Sequence, residues 1–306
     1  MDRTDLGDRM KGYESQEAGR RLLPLLPICI RLDGRGFSKW TAGLERPFDV
    51  RLSQAMVATT KALVKESSAA IGYTQSDEIS LVLPGRSLFF DRRIQKLSSV
   101  LAAFATACFG ELVRDSIPER RGRPATFDCR VWAVPDLEEA ANTLLWREVD
   151  ATKNSISMAT RAHYPHAELV DKSASEMQEM LHAVGVNWND FPVFFKRGTF
   201  VQRRAFVRSF TPEELGALPP NHLARTDPDI AVTRYRIVEL EMPPFGKVPA
   251  GELDYRMLIR SSCTRRATQG DRAIDRRHEE ILVLRDGPEV LDVHGAQLPD
   301  GAGVRA

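Results

Sequence analysis

Apolar residues in the first third of the chain alternate between strand-like runs and helical spacing. Residues 24–30 are apolar and partly β-branched, which is typical of a buried strand. Residues 71–74 and 79–83 are two further apolar runs, and the polar residues between them predict a hairpin turn. Between the first strand and this hairpin, apolar residues from Phe48 to Val64 recur close to helical spacing and predict a helix.

A second long helix and a fourth strand follow the hairpin. Pro84-Gly85 breaks the pattern, and the apolar stripe from Phe90 to Leu112 predicts an amphipathic helix. Residues 126–134 again favour a strand. The resulting order is βαββαβ, which is that of ferredoxin-like folds. The prediction is therefore an α+β fold whose antiparallel sheet carries its helices on one face.

The remaining chain predicts further helices, one more strand and a second hairpin. Helical spacing extends from Leu137 to about Tyr164 and from Ser173 to Val184, and a short N-terminal helix is expected at Leu6 to Ala18. Residues 231–242 alternate like a strand, and the apolar runs around Asp286-Gly287 predict the second hairpin. A basic stretch between them suits either RNA or solvent: Arg260, Arg265, Arg266, Arg272, Arg276 and Arg277.

Carboxylates stand where the first strand ends and where the first hairpin turns. A strand–helix–hairpin unit of this length can bring Asp33 beside Asp77 and Glu78. Convergent carboxylates repel unless a cation neutralises them, and Mg²⁺ is bound by one or two carboxylates plus substrate phosphates. Two such ions suit nucleotidyl transfer, and the carbonyl of Gly34 is a further candidate ligand. Spacing alone leaves an ordinary Asp-Gly turn and an exposed Asp-Glu hairpin tip equally open.

Several short blocks follow one another in a consistent order over about residues 5 to 204: Arg31-Leu32-Asp33-Gly34-Arg35-Gly36-Phe37, Arg46-Pro47-Phe48-Asp49, Tyr73-Thr74-Gln75-Ser76-Asp77-Glu78-Ile79-Ser80, Phe127-Asp128-Cys129-Arg130-Val131, Trp146-Arg147-Glu148-Val149-Asp150 and Lys196-Arg197-Gly198-Thr199. Together they resemble the signature of the tRNA-histidine guanylyltransferase family, which includes guanylyltransferase-like 3′-5′ polymerases that repair tRNA 5′ ends. The resemblance implies a polymerase-like palm that adds nucleotides to a tRNA 5′ end.

The same resemblance implies roles for individual residues. Asp33, Gly34 and Asp77 would hold two Mg²⁺ ions, and Asp33, Asp77 and Glu78 would be the catalytic carboxylates. The nucleotide would contact residues of several blocks: Arg31, Asp33, Gly34, Arg35, Gly36, Phe37, Ser38, Arg46, Ser76, Asp77, Arg92, Arg93, Lys96, Arg130 and Asn154. Basic residues that interleave with aromatic ones would bind tRNA: Lys196, Arg197, Arg203 and Arg204.

Each basic group also has a structural alternative. The three basic residues at the start of the second long helix fit a solvated helix face. Arg130 fits an ion pair with Asp128, two residues back on the same strand face. The stretch around residues 194–204 fits a hairpin with core aromatics and a basic rim.

One block departs from the family pattern. In the implied reaction, ATP activates a tRNA 5′-monophosphate as an adenylate, and the 3′-hydroxyl of GTP or another NTP then attacks it and expels AMP. The family often reads His-Ile-Asn-Asn where this chain reads Thr152-Lys153-Asn154-Ser155. In eukaryotic members that histidine belongs to recognition of the histidine tRNA. Its replacement by Thr152 therefore favours the branch that repairs 5′ ends.

Composition adds three expectations. Lys and Arg number 43 and Asp and Glu 42, a net charge of +1, so any nucleic-acid surface must be local. The 4 cysteines lack zinc-site spacing and suit a reduced, cytoplasmic protein. No signal peptide is evident and no apolar run approaches the length of a membrane span. We therefore expect tRNA and nucleoside triphosphates as partners, no membrane, and a homotetramer, since family members are commonly tetramers.

The resemblance divides the chain into a palm catalytic domain (1–135), a tRNA-binding and oligomerisation region (136–250) and a C-terminal extension of unassigned role (251–306). Two other classes of function stay open. A palm with paired carboxylates also suits a cyclase or signalling nucleotide synthase, although the basic, aromatic second half argues against it. The other is a catalytically silent RNA-binding module, against which the Asp33/Asp77 pair argues.

Overall fold

A computed structural model describes residues 5–227 and 230–243. Their helices are α1 (Asp5–Ala18), α2 (Phe37–Trp40), α3 (Val50–Ser67), α4 (Ile94–Ser116), α5 (Leu137–Arg161), α6 (His166–Leu169), α7 (Ala174–Ala183), α8 (Val193–Arg197) and α9 (Pro212–Ala217). Their strands are β1 (Ile28–Gly34), β2 (Ile71–Gln75), β3 (Glu78–Leu83), β4 (Phe127–Ala133), β5 (Thr199–Ser209) and β6 (Ala231–Leu240). The predicted hairpin around Asp286-Gly287, the basic stretch at 260–277 and the extension 251–306 lie outside the described residues.

The strands form one six-stranded sheet in the order β4-β1-β3-β2-β5-β6, and every neighbouring pair is antiparallel. The first four strands have the order that a βαββαβ unit produces, so the ferredoxin-like prediction is confirmed. The predicted domain boundary at residue 135 falls between β4 and α5. Because β5 pairs with β2, the region after this boundary continues the sheet of the region before it.

The two helices of the βαββαβ unit pack on one face of the sheet. On α3 and α4, apolar stripes at helical spacing bury Met56, Leu63, Leu101 and Phe109 against that face. The Asp49 side chain accepts a hydrogen bond from the Arg51 N–H at the start of α3, which satisfies a backbone donor there. Both predicted helices are thus present on this face.

A third long helix covers the opposite face. The buried side of α5 includes Ala140, Leu144 and Ala151, which join a cluster with Cys29 of β1 and Tyr73 of β2. Since Cys29, Arg31 and Asp33 alternate with inward residues of the other face, they project on the α5 side. This side of the sheet therefore carries one of the candidate carboxylates.

Three predicted boundaries differ from the structure. β1 begins at Ile28, after Pro27, although the predicted apolar run begins at residue 24. It also includes Asp33 and Gly34, at which the sequence predicts that the strand stops. The second long helix begins at Ile94, because Phe90, Asp91 and Arg92 have positive φ and cannot be part of it. Residues 193–209 form α8 and β5 in place of a hairpin. At their junction, Gly198 has φ 78° and a Cβ there would lie 2.6 Å from the Thr74 carbonyl oxygen.

By length and composition, α4 could cross a membrane, which the sequence analysis did not anticipate. Its Leu97, Leu101, Ala105, Phe109 and Val113 are instead buried in the core beneath the sheet. The core helix of a globular domain passes the same test of length and composition.

Candidate active site

The two sequence blocks that contain the carboxylates meet at one end of the sheet, where β1 ends and the β2–β3 hairpin turns. Asp33 pairs in register with Glu78 on β3 and with Asp128 on β4. The turn between β2 and β3 consists of Ser76 and Asp77, and the Gly34 N–H donates a 3.0 Å hydrogen bond to the Asp77 carbonyl. The convergence predicted for Asp33 and Asp77 is therefore present.

Glycine is required at position 34 for a packing reason. The ring of Phe37 lies directly against its Cα, and a Cβ would come within 2.3 Å of the ring. Phe37 in turn packs on Trp40, Phe109 and Phe127 with ring centroids 5.3–5.7 Å apart. This aromatic cluster fixes the backbone that carries the Gly34 carbonyl.

The electrostatics of the pair favour a cation. Burial raises the pKa of Asp77 above its usual range, and the negative charge of Asp33 raises it further. Two carboxylates in this situation gain from a bound positive charge, which would lower the pKa of Asp77.

Glu78 has a different environment from the other two carboxylates. Its Oε2 accepts a 2.8 Å hydrogen bond from Arg147 Nη2, and its Oε1 accepts from Arg147 Nε. Burial raises the pKa of Glu78, while Arg147 opposes that effect. Arg147 also contacts Asp150 at 3.0 Å. This bidentate pair occupies both carboxylate oxygens, so in place of the predicted catalytic role we assign Glu78 to holding Arg147 on α5.

The remaining donors suit Mg²⁺. Within the described part of the chain, no three His, Cys, Asp or Glu side chains form a group that could hold a metal ion. Two carboxylates, Asp33 and Asp77, and the Gly34 carbonyl remain, and all three are oxygen donors. Mg²⁺ commonly uses only one or two carboxylates and completes its shell with water and substrate phosphates. The residues therefore fit the ion only in company with a phosphate-bearing substrate.

A cavity of about 530 Å³ opens beside Asp77. Its volume lies within the range of ~300–1,000 Å³ that small-molecule sites have. Seven residues of the predicted nucleotide site line it: Gly34, Gly36, Phe37, Ser38, Arg46, Ser76 and Asp77. The sequence blocks thus describe one wall of a pocket of nucleotide size.

The cavity is also lined by residues outside the predicted nucleotide site. Met158 and Arg161 of α5 line the cavity together with Phe194 and Phe195 of α8. Phe48 joins them, with its ring centroid 5.3 Å from Phe194 and 4.7 Å from Phe195. The spacing of Met158 and Arg161 from Asn154, four and seven residues, places all three on one stripe of α5. Their helical spacing from Asn154 is the feature of the sequence that could have placed Met158 and Arg161 in the nucleotide site.

The block that departs from the family pattern lies on α5. The Thr152 hydroxyl donates a 3.0 Å hydrogen bond to the Glu148 carbonyl, and Asn154 is exposed. Ser155 is buried, donates to the Lys196 carbonyl at 3.2 Å and accepts from Trp188 Nε1 at 3.1 Å. Ser155 therefore ties α5 to α8, while Asn154 remains accessible to a ligand.

Two arginines of the predicted nucleotide site lie near Asp33. Arg31 and Arg130 are register partners on β1 and β4, and Arg31 lies 5.6 Å from the Trp146 ring centroid. Arg130 Nε is 3.9 Å from Asp128, and both side chains are about half exposed. The predicted ion pair with Asp128 is thus present but open to solvent, and it leaves the guanidinium available. Arg35 is exposed at the same end of β1.

Arg92 does not reach this site. Its guanidinium is buried and donates to the carbonyl oxygens of Gly85 at 2.9 Å, Ser87 at 3.1 Å and Leu26 at 2.6 Å. These carbonyls lie beyond the Ile28–Leu83 pair, five strand residues or ~17 Å from Asp33. The assignment of Arg92 to nucleotide binding is therefore corrected: it holds a loop together.

The other two basic residues of this segment lie at the same distant end. Arg93 forms an isolated bridge with Arg21, and Lys96 Nζ is 5.3 Å from the Phe90 ring centroid. Within one chain, neither is brought to the carboxylates.

The four predicted tRNA-binding residues separate into two groups. Arg197 forms a 3.1 Å ion pair with buried Glu148 and donates to the Met242 carbonyl, and Lys196 donates to the Asn189 carbonyl. These contacts correct the first two assignments, because both side chains hold the α8 junction. Arg203 and Arg204 are consecutive on β5 and project from opposite faces of the sheet.

Comparison with known proteins gives consistent matches. A family model described as tRNAHis guanylyltransferase matches residues 7–135. The tRNA(His) guanylyltransferase of Neurospora crassa is 31% identical over 212 residues, which cover 63% of this chain and 71% of that protein. A solved bacterial tRNA(His) guanylyltransferase-like protein in complex with ATP is 39% identical, with a TM-score of 0.61, over 65% of this chain and 87% of that one. A second, in complex with GTP, is 30% identical, with a TM-score of 0.62, over 85% and 100%.

Proposed function

The chain belongs to the tRNAHis guanylyltransferase family and is a nucleotidyltransferase, and from this premise we propose that it adds nucleotides to tRNA 5′ ends in the 3′-5′ direction with Mg²⁺. The observation that carries the proposal is that Asp33, Gly34 and Asp77 meet at one end of the sheet, where Gly34 and Asp77 line the adjoining cavity. An oxygen-donor pair beside a pocket of nucleotide size is the arrangement that nucleotidyl transfer needs.

The chain's own residues divide the work. Asp33, Asp77 and the Gly34 carbonyl would hold the metal, which when bound neutralises phosphate charge and polarises the phosphoryl oxygens. Arg31 and Arg130, on the same face of the sheet as Asp33, would hold phosphates through charge-assisted hydrogen bonds.

We propose ATP and GTP as nucleotide substrates. The related bacterial proteins were solved in complex with each of them. In this chain the cavity offers aromatic residues for a base and a polar edge at Ser76 and Asp77 for phosphates. ATP would adenylate the tRNA 5′-phosphate and release pyrophosphate, and the 3′-hydroxyl of the incoming nucleotide would then attack the adenylated end and release AMP, with the bound geometry aligning the two reacting groups.

For the RNA substrate we propose 5′-truncated tRNAs. The Thr152 hydroxyl already donates to the Glu148 carbonyl, and a threonine offers no imidazole for selection of a particular tRNA. Addition of a guanine opposite a non-pairing base would require such selection by the protein. Extension of a truncated end can take its specificity from base pairing with the 3′ strand instead. The cytoplasmic location and the homotetramer stay predictions from the family resemblance and the cysteines.

A side-by-side assay tests this proposal. Labelled NTPs are incubated with Mg²⁺ and either several 5′-truncated tRNAs or full-length histidine tRNA. We expect extension of the truncated tRNAs by the nucleotide that pairs with the 3′ strand. Robust guanine addition to intact histidine tRNA with little extension of the others would reverse the substrate choice. A cyclic product formed from NTPs alone would point to a cyclase instead.

A further inference from the structure

The ribbon formed by β5 and β6 carries four arginines on one face. In its register Arg204 pairs with Arg236, Phe206 with Arg234, and Arg208 with Val232. Directly paired residues and residues two apart share a face of an antiparallel pair. Arg204, Arg208, Arg234 and Arg236 therefore project together, and we call this set the arginine face.

The arginine face lies on the same side of the sheet as the active-site residue Asp33. Alternate residues of a strand share a face, so Phe200 lies on the face of Arg204 and Val238 on the face of Arg236. Both Phe200 and Val238 pack in the apolar cluster that contains Cys29. Cys29 is four residues from Asp33 on β1, so both project to this side. Because α5 packs on this same side, a ligand that contacts both the arginines and Asp33 would extend past α5.

The distance between the two regions suits an extended ligand. Thr199, at the start of β5, pairs with Thr74, which precedes the turn that holds Asp77. Arg204 is five and Arg208 nine residues further along β5, or ~17 Å and ~30 Å at the usual rise of a strand. The arginine face is therefore well outside the nucleotide cavity and would contact a part of the substrate remote from the reacting end.

Local contacts hold the outer arginines in place. Glu214 of α9 accepts from Arg208 at 2.7 Å and 2.8 Å and from Arg234 at 2.7 Å. The Arg208 and Arg234 side chains are still 34% and 42% exposed. Arg236 lies 5.8 Å from the Phe206 ring centroid. One carboxylate thus orients two arginines and leaves the face basic.

The opposite face of the ribbon differs in charge and packing. There the guanidinium carbon of Arg203 lies 3.9 Å from the Tyr235 ring centroid, and Glu239 forms a 2.7 Å ion pair with Lys61 of α3. Among the β5 and β6 residues that share the arginine face, none is acidic. Positive charge is therefore concentrated on the active-site side.

We infer that the arginine face binds the sugar–phosphate backbone of the RNA substrate, in the body of the molecule away from its 5′ end. This inference rests on the proposed function and names the surface that the RNA uses. Arginine forms bidentate, charge-assisted hydrogen bonds with phosphates, and each neutralised phosphate releases counterions. The contact holds any RNA of suitable shape and leaves sequence to base pairing at the active site.

The test measures binding of a 5′-truncated tRNA to the full-length protein by fluorescence anisotropy over a range of salt concentrations. Loss of one phosphate contact should reduce the slope of log K against log salt by about 1. We expect this reduction for R236Q and about twice that for R204Q/R236Q. Glutamine removes the charge together with the guanidinium and keeps a shorter, uncharged polar side chain at the position.

R114Q is the control, because it removes the same charge from an exposed site on α4, which packs on the opposite face of the sheet. Its slope should equal that of the wild type. Equal slopes for R236Q and the wild type, or equal reductions for R236Q and R114Q, would overturn the inference. Unchanged RNA binding with an altered sedimentation coefficient would overturn it too, since the face would then be a protein interface. If the wild type neither binds nor extends any tRNA, the proposed function itself fails.

Discussion

Replacement of Arg147 by methionine should destabilise the protein through Glu78. The two side chains are 11% and 15% exposed, so water can do little to solvate the carboxylate that loses its partner. Removal of one member of a buried pair costs about 3–5 kcal/mol. We expect a loss near 3 kcal/mol at pH 8, because the nearby charge of Arg31 still favours the ionised carboxylate.

The loss should depend on pH in a defined direction. Burial raises the pKa of Glu78, and removal of Arg147 takes away the main opposing charge, so the pKa rises further in the variant. A raised carboxyl pKa means that the folded state favours the proton. The variant's penalty is therefore largest above this raised pKa, and it shrinks as the pH falls towards the unfolded value of about 4.3, where both states are protonated.

Urea unfolding followed by circular dichroism at pH 8 and pH 5 measures both effects. Two controls separate pairing from packing. R114M removes an exposed partner of Glu111 and should cost less than ~1 kcal/mol. R147M/E78Q removes both charges and should recover more than half of the loss. A loss below ~1 kcal/mol at pH 8, or one that does not shrink at pH 5, would refute this account of the pair.

Four further outcomes are expected. Asp33→Asn and Asp77→Asn should each abolish nucleotide addition in Mg²⁺ at unchanged thermal stability, whereas Asp115→Asn, a change of the same kind on the exposed end of α4, should leave turnover as it is. Burial raises the pKa of Asp77 and a bound cation lowers it, so the pH below which wild-type turnover declines should fall as the Mg²⁺ concentration is raised, as pH–rate profiles at several Mg²⁺ concentrations would reveal. Arg92→Met should lower the free energy of unfolding by about 2–3 kcal/mol and leave the KM for NTP unchanged; a raised KM at full stability would restore Arg92 to the nucleotide site. Phe109→Ala should cost about 3–5 kcal/mol in urea unfolding, because its ring is fully buried against the sheet.

Local pattern accounts for much of the fold and for the position of the carboxylates. The βαββαβ order follows from apolar spacing, since a strand or helix buries one face at a period set by its own geometry. A two-residue turn also leaves little freedom, so Asp77 had to lie at the end of the sheet where β1 brings Asp33. These features depend on residues close together in the chain or on the pairing of short neighbouring elements.

Tertiary structure decided which charged side chains are available. Sequence spacing gives no reason to separate Glu78, Arg92 and Arg197 from the neighbouring charged residues that were assigned to ligands. In the structure each of these three side chains forms hydrogen bonds or an ion pair with a residue distant in the chain. Positive φ at Arg92 turns that side chain away from the helix on which it was predicted.

Tertiary structure also determined which α5 residues line the cavity and which arginines form the arginine face. Met158 and Arg161 reach the cavity only because α5 packs on the face of the sheet that carries Asp33. Arg236 joins Arg204 through the register of β5 and β6, although 32 positions separate them in the chain. Periodicity can assign a residue to a face of its own strand or helix. Which partner that face meets depends on long-range packing, because burial and pairing are set by side chains that the local pattern does not contain.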